Sequence, residues 1–168
     1  SLDMRLVVIS DLSGSGKTSA LNILEDVGFT CIDNLPVSLL PKLISKHSSE
    51  GDSEDTKLAV GIDARNLAGD LNQIPATLRS IESRGTSVSV IFLHARQTDL
   101  IRRYSETRRK HPLSTNTVSL KEAIILETDM LAPIANIADR TIETSGLSLH
   151  QLRDLIKNTV VPHDANHM

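Results

Sequence analysis

Eight residues, Asp11 to Thr18, read DLSGSGKT, and they stand between an apolar run, LVVIS, and a segment with helical spacing, TSALNILEDVG. That context constrains the chain more than any other feature. A buried strand must emerge into a glycine-bearing turn and re-enter at once as a helix whose N-terminal end faces the turn. Successive backbone N–H groups from Ser13 to Lys17 can then point inward at the positive end of the helix dipole, forming a concavity for an anion. Gly14 and Gly16 allow the backbone to approach closely. The bland reading is a Gly/Ser turn followed by an ordinary helix-starting lysine.

The full element, Asp11, Leu12, Ser13, Gly14, Ser15, Gly16, Lys17 and Thr18, matches the phosphate loop of ATP- and GTP-binding domains. In such a loop Lys17 reaches the β- and γ-phosphate oxygens, and the Thr18 hydroxyl ligates a Mg²⁺ that bridges them. One position departs from the pattern GxxxxGK(S/T). Asp11 stands where the first glycine is expected and brings a negative charge toward the place of anionic phosphates, which predicts weakened binding.

Five short apolar or β-branched runs alternate with helix-length segments, which is the pattern of a parallel sheet with crossover helices. The runs are Arg5–Ser10, Thr30–Ile32, Lys57–Asp63, Ser87–His94 and Asp139–Glu143. Ser119-Leu-Lys-Glu122 and Ser148-Leu-His-Gln151 read as capping boxes and mark two helix starts. Leu21, Leu24 and Val27 give the first helix an apolar stripe, and Gly28 ends it. His47–Asp55 and Lys110–Val118 read as mobile loops. The expected architecture is a three-layer α/β fold of the P-loop kinase type, with a five-stranded, mainly parallel sheet. It forms one domain over residues 4–161, with 162–168 a frayed tail and Ser1–Asp3 an appended remnant.

Composition narrows the function classes. With one Tyr, two Phe and no Trp, stacking platforms for single-stranded nucleic acid are not expected. A net charge of -3 offers no global attraction to nucleic acid or acidic membranes, so any basic site is local. The solitary Cys31 fits a reducing compartment, and neither a membrane span nor a signal peptide is legible. A cytoplasmic location is expected.

In open α/β sheets ligands sit beyond the carboxyl ends of the strands, which directs attention to two acids. Asp33 follows the strand TCI, and Asp63 ends LAVGI and opens the tetrad Asp63-Ala64-Arg65-Asn66. Either carboxylate can hold Mg²⁺ or orient an attacking hydroxyl or water, and either can instead cap a turn. His94 ends the fourth strand and reads as structural. The segment IRRYSETRRKHPL gathers Arg102, Arg103, Arg108, Arg109, Lys110 and His111. On one helix Arg102 and Arg109 share a face, so that guanidinium groups, Arg108 and Arg109 among them, can close over the phosphates in the transition state. A solvated helix face and contact with RNA phosphates are the alternatives.

Longer phrases add a family resemblance. SGSGKTSAL, LEDVGFTCIDNLPVSLLPKL, DARN, LIRRYSETRRKHPL and ADRTIETSGLS together resemble the N-terminal domain of the RapZ family of bacterial P-loop proteins, which includes RNase adapters. The resemblance implies ATP binding at Asp11–Thr18, GTP binding at Asp63–Asn66, weak nucleotide hydrolysis, and a C-terminal domain outside this sequence that carries RNA or regulator binding. The chain departs from the family at Asp11 and at His94, where an acid is expected. The candidate catalytic set is therefore Lys17, Asp33, Asp63, Arg108 and Arg109, with Thr18 and Asp63 as metal ligands. A small-molecule kinase and a non-catalytic interaction scaffold remain as alternatives.

Overall fold

The computed structural model describes residues 4–49, 56–66, 68–107, 110–115 and 118–160. Ser1–Asp3, most of the expected loop ahead of the third strand, Arg108, Arg109 and the tail from residue 161 lie outside the described residues.

The apolar runs become strands β1 (Met4–Asp11), β2 (Thr30–Ile32), β3 (Thr56–Ile62), β4 (Ser87–His94) and β5 (Arg140–Glu143). They form one sheet in the order β2-β3-β1-β4-β5, and all four pairings are parallel. Val8 of the central strand stands opposite Val60 on one side and Val90 on the other. The middle three strands are buried on both faces, as a parallel sheet covered by helices requires.

The helices are α1 (Lys17–Asp26), α2 (Leu40–Ser49), α3 (Ala68–Asn72), α4 (Ile74–Ser83), α5 (Gln97–Glu106), α6 (Leu120–Ala135) and α7 (Leu149–Val160); a short 3-10 turn, Val37–Leu39, leads into α2. Alternation along the strands divides them into two layers. Val7, Ile9, Ala59, Ile91 and Leu93 face α1 and α7, where Leu24 and Ile156 are fully buried. Leu6, Val8, Leu58, Val60 and Val90 face the opposite layer, which takes in Leu40, Leu71, Ile74, Leu100 and Leu131. Each such fully buried aliphatic side chain contributes about 1.5–3 kcal/mol.

Local chemistry sets the helix ends. Ser148 Oγ accepts from Gln151 N–H at 3.1 Å while Gln151 Oε1 accepts from Ser148 N–H at 2.9 Å, a reciprocal box at the start of α7. Ser119 Oγ accepts from Glu122 N–H at 3.2 Å and starts α6. Gly28, at φ 98°, donates its N–H to Glu25 O and closes α1.

Two expectations are corrected. His47 and Ser49 belong to α2 rather than to a loop, with His47 Nδ1 3.0 Å from Leu43 O and the basic Lys46 and His47 favourably placed at the helix's negative end. α5 stops at Glu106 and Thr107 is extended, so the helix that carries Arg102 is shorter than expected; Arg109, expected on the same face, lies outside the described residues. The described residues of the stretch Lys110–Val118 carry no helix or strand, as expected of a loop, and His111 is buried within it. Among the described residues no helix is long and apolar enough to cross a membrane.

Candidate functional site

The carboxyl ends of β1, β2 and β3 bring Asp11, Asp33 and Asp63 to one side of the sheet, around the N-terminus of α1. Gly14 (φ 95°) and Gly16 (φ 110°) give the loop its left-handed turns, which a side chain would strain. Ser15 N–H donates to Leu12 O at 2.9 Å, and the buried Ser15 hydroxyl has no hydrogen-bond partner among the described residues. Leu12 is buried, Ser13 half-buried, and Thr18 exposed.

Asp11 turns into the loop. Only 3% exposed, its Oδ2 accepts the Lys17 N–H at 3.0 Å, so the carboxylate caps the first turn of α1 from inside the concavity. Burial pushes its pKa up to about 7; the Lys17 ammonium and backbone N–H groups of Lys17 and Ser15 pull against that shift, and Glu127 adds to it.

Lys17 Nζ lies 3.1 Å from Asp33 Oδ1, 3.2 Å from Asn34 Oδ1 and 3.7 Å from Asp63 Oδ2. Asp33 approaches over Gly61, where a Cβ would collide with its carboxylate. Asn34 takes φ 55°, a left-handed conformation that Asn tolerates, and its N–H donates to Asp33 Oδ1 at 2.7 Å. Asp63 is almost fully buried and paired: Arg65 Nη2 lies 2.7 Å and Arg65 Nε 2.9 Å from Asp63 Oδ2, and this bond raises the Arg65 pKa further. The remaining members of the tetrad serve the backbone. Ala64 is buried in the core, and Asn66 Oδ1 accepts from Val37 N–H at 2.8 Å while its amide reaches Asp63 O. Asp63, Arg65 and Asn66 also line a smaller hollow with Asn34 and Asp70.

Of the arginine segment, Arg103 and not Arg102 meets the loop. Arg103 Nη1 donates to Gly14 O, whereas Arg102 pairs with Asp99 Oδ1 at 2.8 Å. Hydrogen bonding to Ser145 and then to Arg96 holds the Asp99 carboxyl below its usual range. His94 accepts the Thr144 N–H at 2.8 Å through its backbone carbonyl.

Glu127 has no place in the sequence reading, and His111, read there as part of the basic segment, has a different role. Glu127, fully buried in α6, accepts the Ser13 N–H at 2.8 Å and the Ser13 hydroxyl, and the buried His111 Nε2 lies 3.0 Å from the same carboxylate. A signal for Glu127 exists in the sequence: Ile124, Glu127, Leu131 and Ile134 fall on one helical face, so an acid interrupts the buried stripe. Nothing in the residues around His111 marks it.

A cleft of about 820 Å³ runs from Lys17, Asp33 and Asp63 to Tyr104, Lys110 and Ser114. A second hollow on the other side of the loop is walled by Gly16, Ser19, Arg103, Thr144, Leu147 and Leu149. Among the described residues no cluster of three His, Cys, Asp or Glu side chains forms a metal site. A Mg²⁺ here would take one or two carboxylates and the Thr18 hydroxyl and complete its shell with phosphate oxygens and water.

Comparison with known proteins places this arrangement. The chain is 52% identical over 158 residues to a nucleotide-binding protein of Cellvibrio japonicus, covering 94% of this chain and 53% of the relative. It spans about half the length of the curated relatives it matches. The YorR protein of Bacillus subtilis, solved in complex with phosphorylated GDP, superposes with a TM-score of 0.62 at 13% identity, covering 97% of this chain and 99% of that one. A sugar kinase from Janibacter sp. gives 0.58 at 15% identity, with 94% of each chain covered. At such identities the likeness establishes the kinase-type P-loop fold. The model of the RapZ-like N-terminal domain matches residues 4–163, and the chain belongs to that family.

Proposed function

We propose that this domain binds ATP or GTP with Mg²⁺ through Ser13–Thr18 and acts as a regulatory module with weak nucleotide hydrolysis. The observation that carries the reading is Lys17: its ammonium stands behind a glycine-turned loop, between Asp33 and Asp63, at the mouth of a large cleft. A terminal phosphate entering there takes over the lysine, releasing the two carboxylates for Mg²⁺ or for orienting a water. Asp33 is the more accessible of the two, since Arg65 already occupies Asp63. The hollow beside Leu147 and Leu149 suits the nucleoside, with Arg103 near the phosphates. Names of relatives as nucleotide-binding proteins support the same reading.

Asp11 modulates it. Its carboxylate already accepts an N–H that a phosphate oxygen would otherwise take, so nucleotide must displace it or meet it protonated. Arg108 and Arg109 supply further positive charge in this reading, and the tetrad from Asp63 to Asn66 is the place for a second, guanine nucleotide. RNA or protein partners of an RNase adapter belong to the remainder of the longer relatives. The cellular setting is the cytoplasm.

One observation favours a second reading. The cleft continues past Lys17 to Tyr104, Lys110 and Ser114, farther than a terminal phosphate needs, which suits a small-molecule acceptor whose hydroxyl proton passes to Asp33 or Asp63. Phosphate release measured with ATP or GTP, with and without candidate acceptors, separates the two. Release without acceptor supports the regulatory module, turnover only with an acceptor supports the kinase, and no nucleotide binding at all leaves an interaction scaffold.

A further inference from the structure

Ser13 and Gly14, the front of the phosphate loop, are gripped from three elements that lie more than eighty residues away in the chain. Arg103 of α5 donates to Gly14 O, and the Tyr104 ring comes within 3.3 Å of where a Gly14 side chain would begin. Glu127 of α6 takes both donors of Ser13. His111, in the stretch between α5 and α6, completes the chain at Glu127 and lies against Tyr104 with ring centroids 5.4 Å apart.

Hydrogen bonding fixes the state of the imidazole. Leu113 N–H donates to His111 Nδ1 at 3.1 Å, so Nδ1 is an acceptor and Nε2 carries the proton. That Nε2–H then donates to Glu127 Oε1, which also accepts Ser13 N–H, while Oε2 accepts the Ser13 hydroxyl. Both side chains have no solvent exposure. A buried carboxylate is tolerated only when its oxygens are hydrogen-bonded, and this one meets that condition through the loop and His111. Removing Glu127 leaves the buried His111 Nε2–H without its acceptor, and removing His111 or the Ser13 hydroxyl takes a donor from the buried carboxylate, so the three act as a unit.

From this geometry we infer that Glu127 and His111 are positioning residues for the phosphate loop, a buried tether from Ser13 through Glu127 to His111 that couples nucleotide binding to the placement of residues 111–113. The inference rests on the proposed nucleotide site for its consequence but not for its existence. The Ser13 N–H is committed to Glu127, as the Ser15 N–H is to Leu12 O and the Lys17 N–H to Asp11 Oδ2. His111 is held directly before Pro112, whose ring restricts the backbone of the residue preceding it, so the connection into the segment is stiff.

Two measurements on the same variants test it. Amide exchange at Ser13 to Gly16, followed by NMR in nucleotide-free protein, is expected to accelerate about tenfold or more in Glu127→Ala and His111→Ala, the scale of losing a charge-assisted hydrogen bond. Exchange in α7 should stay unchanged. His111→Gln, whose amide can donate where Nε2–H does, is expected to restore protection, and Ser13→Ala gives a smaller acceleration should Glu127→Ala fail to fold. Titration with a fluorescent ATP analogue is expected to show affinity falling about tenfold in the variants that loosen the loop and near wild type in His111→Gln. Unaltered loop exchange in Glu127→Ala and Ser13→Ala overturns the tether whatever happens to binding. A loosened loop with undiminished affinity overturns the positioning role. If the wild-type protein binds no nucleotide, the proposed function fails instead, and the exchange arm still decides whether the tether exists.

Discussion

Asp11 occupies the position where this chain most departs from an ordinary phosphate loop, and the departure is structural as well as chemical. Its carboxylate lies inside the loop on the Lys17 N–H, where it competes with phosphate. Asp11→Gly is therefore expected to bind a fluorescent nucleotide at least about tenfold more tightly, the scale of removing one buried like charge; equal affinity in the two proteins would mean that the carboxylate swings aside at no cost. Because the carboxyl titrates near 7, wild-type affinity should weaken as pH rises through neutrality by more than in Asp11→Asn, which isolates this group from the nucleotide's own ionisation. Much of the site at this scale is legible in the sequence. Lys17, Asp33 and Asp63 were readable because strand ends in a parallel sheet converge, and they do meet at the lysine ammonium. Which arginine faces the loop was not, since adjacent Arg102 and Arg103 differ only in where the start of α5 happens to point them.

Strands and capped helices follow local rules, and the sequence shows them closely. β2 and β4 have the bounds expected from their β-branched runs, and the box at Ser148 forms in both directions. Ser148→Ala should cost about 1 kcal/mol, seen as a lower urea midpoint at constant m, because the Gln151 N–H at the start of α7 loses its acceptor. An unchanged midpoint would mean that packing against α1 alone sets that helix. The elements that escaped the sequence are governed by distant partners. α5 ends at Glu106 although the residues beyond it suit a helix, and the stretch around His111 is anchored by a carboxylate sixteen residues on. No local pattern encodes a bond of that kind, although the acid in the apolar stripe of α6 was there to be seen.

For the whole molecule, the two layers of core on either side of the sheet hold three carboxylates and a lysine against one rim, so stability and ligand binding are linked. Asp11 is protonated more readily folded than unfolded, its pKa rising from 3.8 to about 7. Its contribution to stability is fully present below the unfolded value and is lost as pH climbs through the folded one. Between those limits stability should fall by no more than about 1.4 kcal/mol per pH unit from this group, and the Asp11→Asn variant should lack that component in urea titrations across the range. Nucleotide acts in the other direction. A ligand at a hundred times its Kd stabilises the folded state by about 2.7 kcal/mol, about 5–10 °C in Tm for a domain of this size. The decisive measurement is the thermal shift with saturating ATP or GTP and Mg²⁺, in wild-type protein and in Lys17→Ala. A shift in the first that vanishes in the second is the expected result; no shift in wild type, or one that survives loss of the lysine, would contradict the assignment of the nucleotide site to this loop.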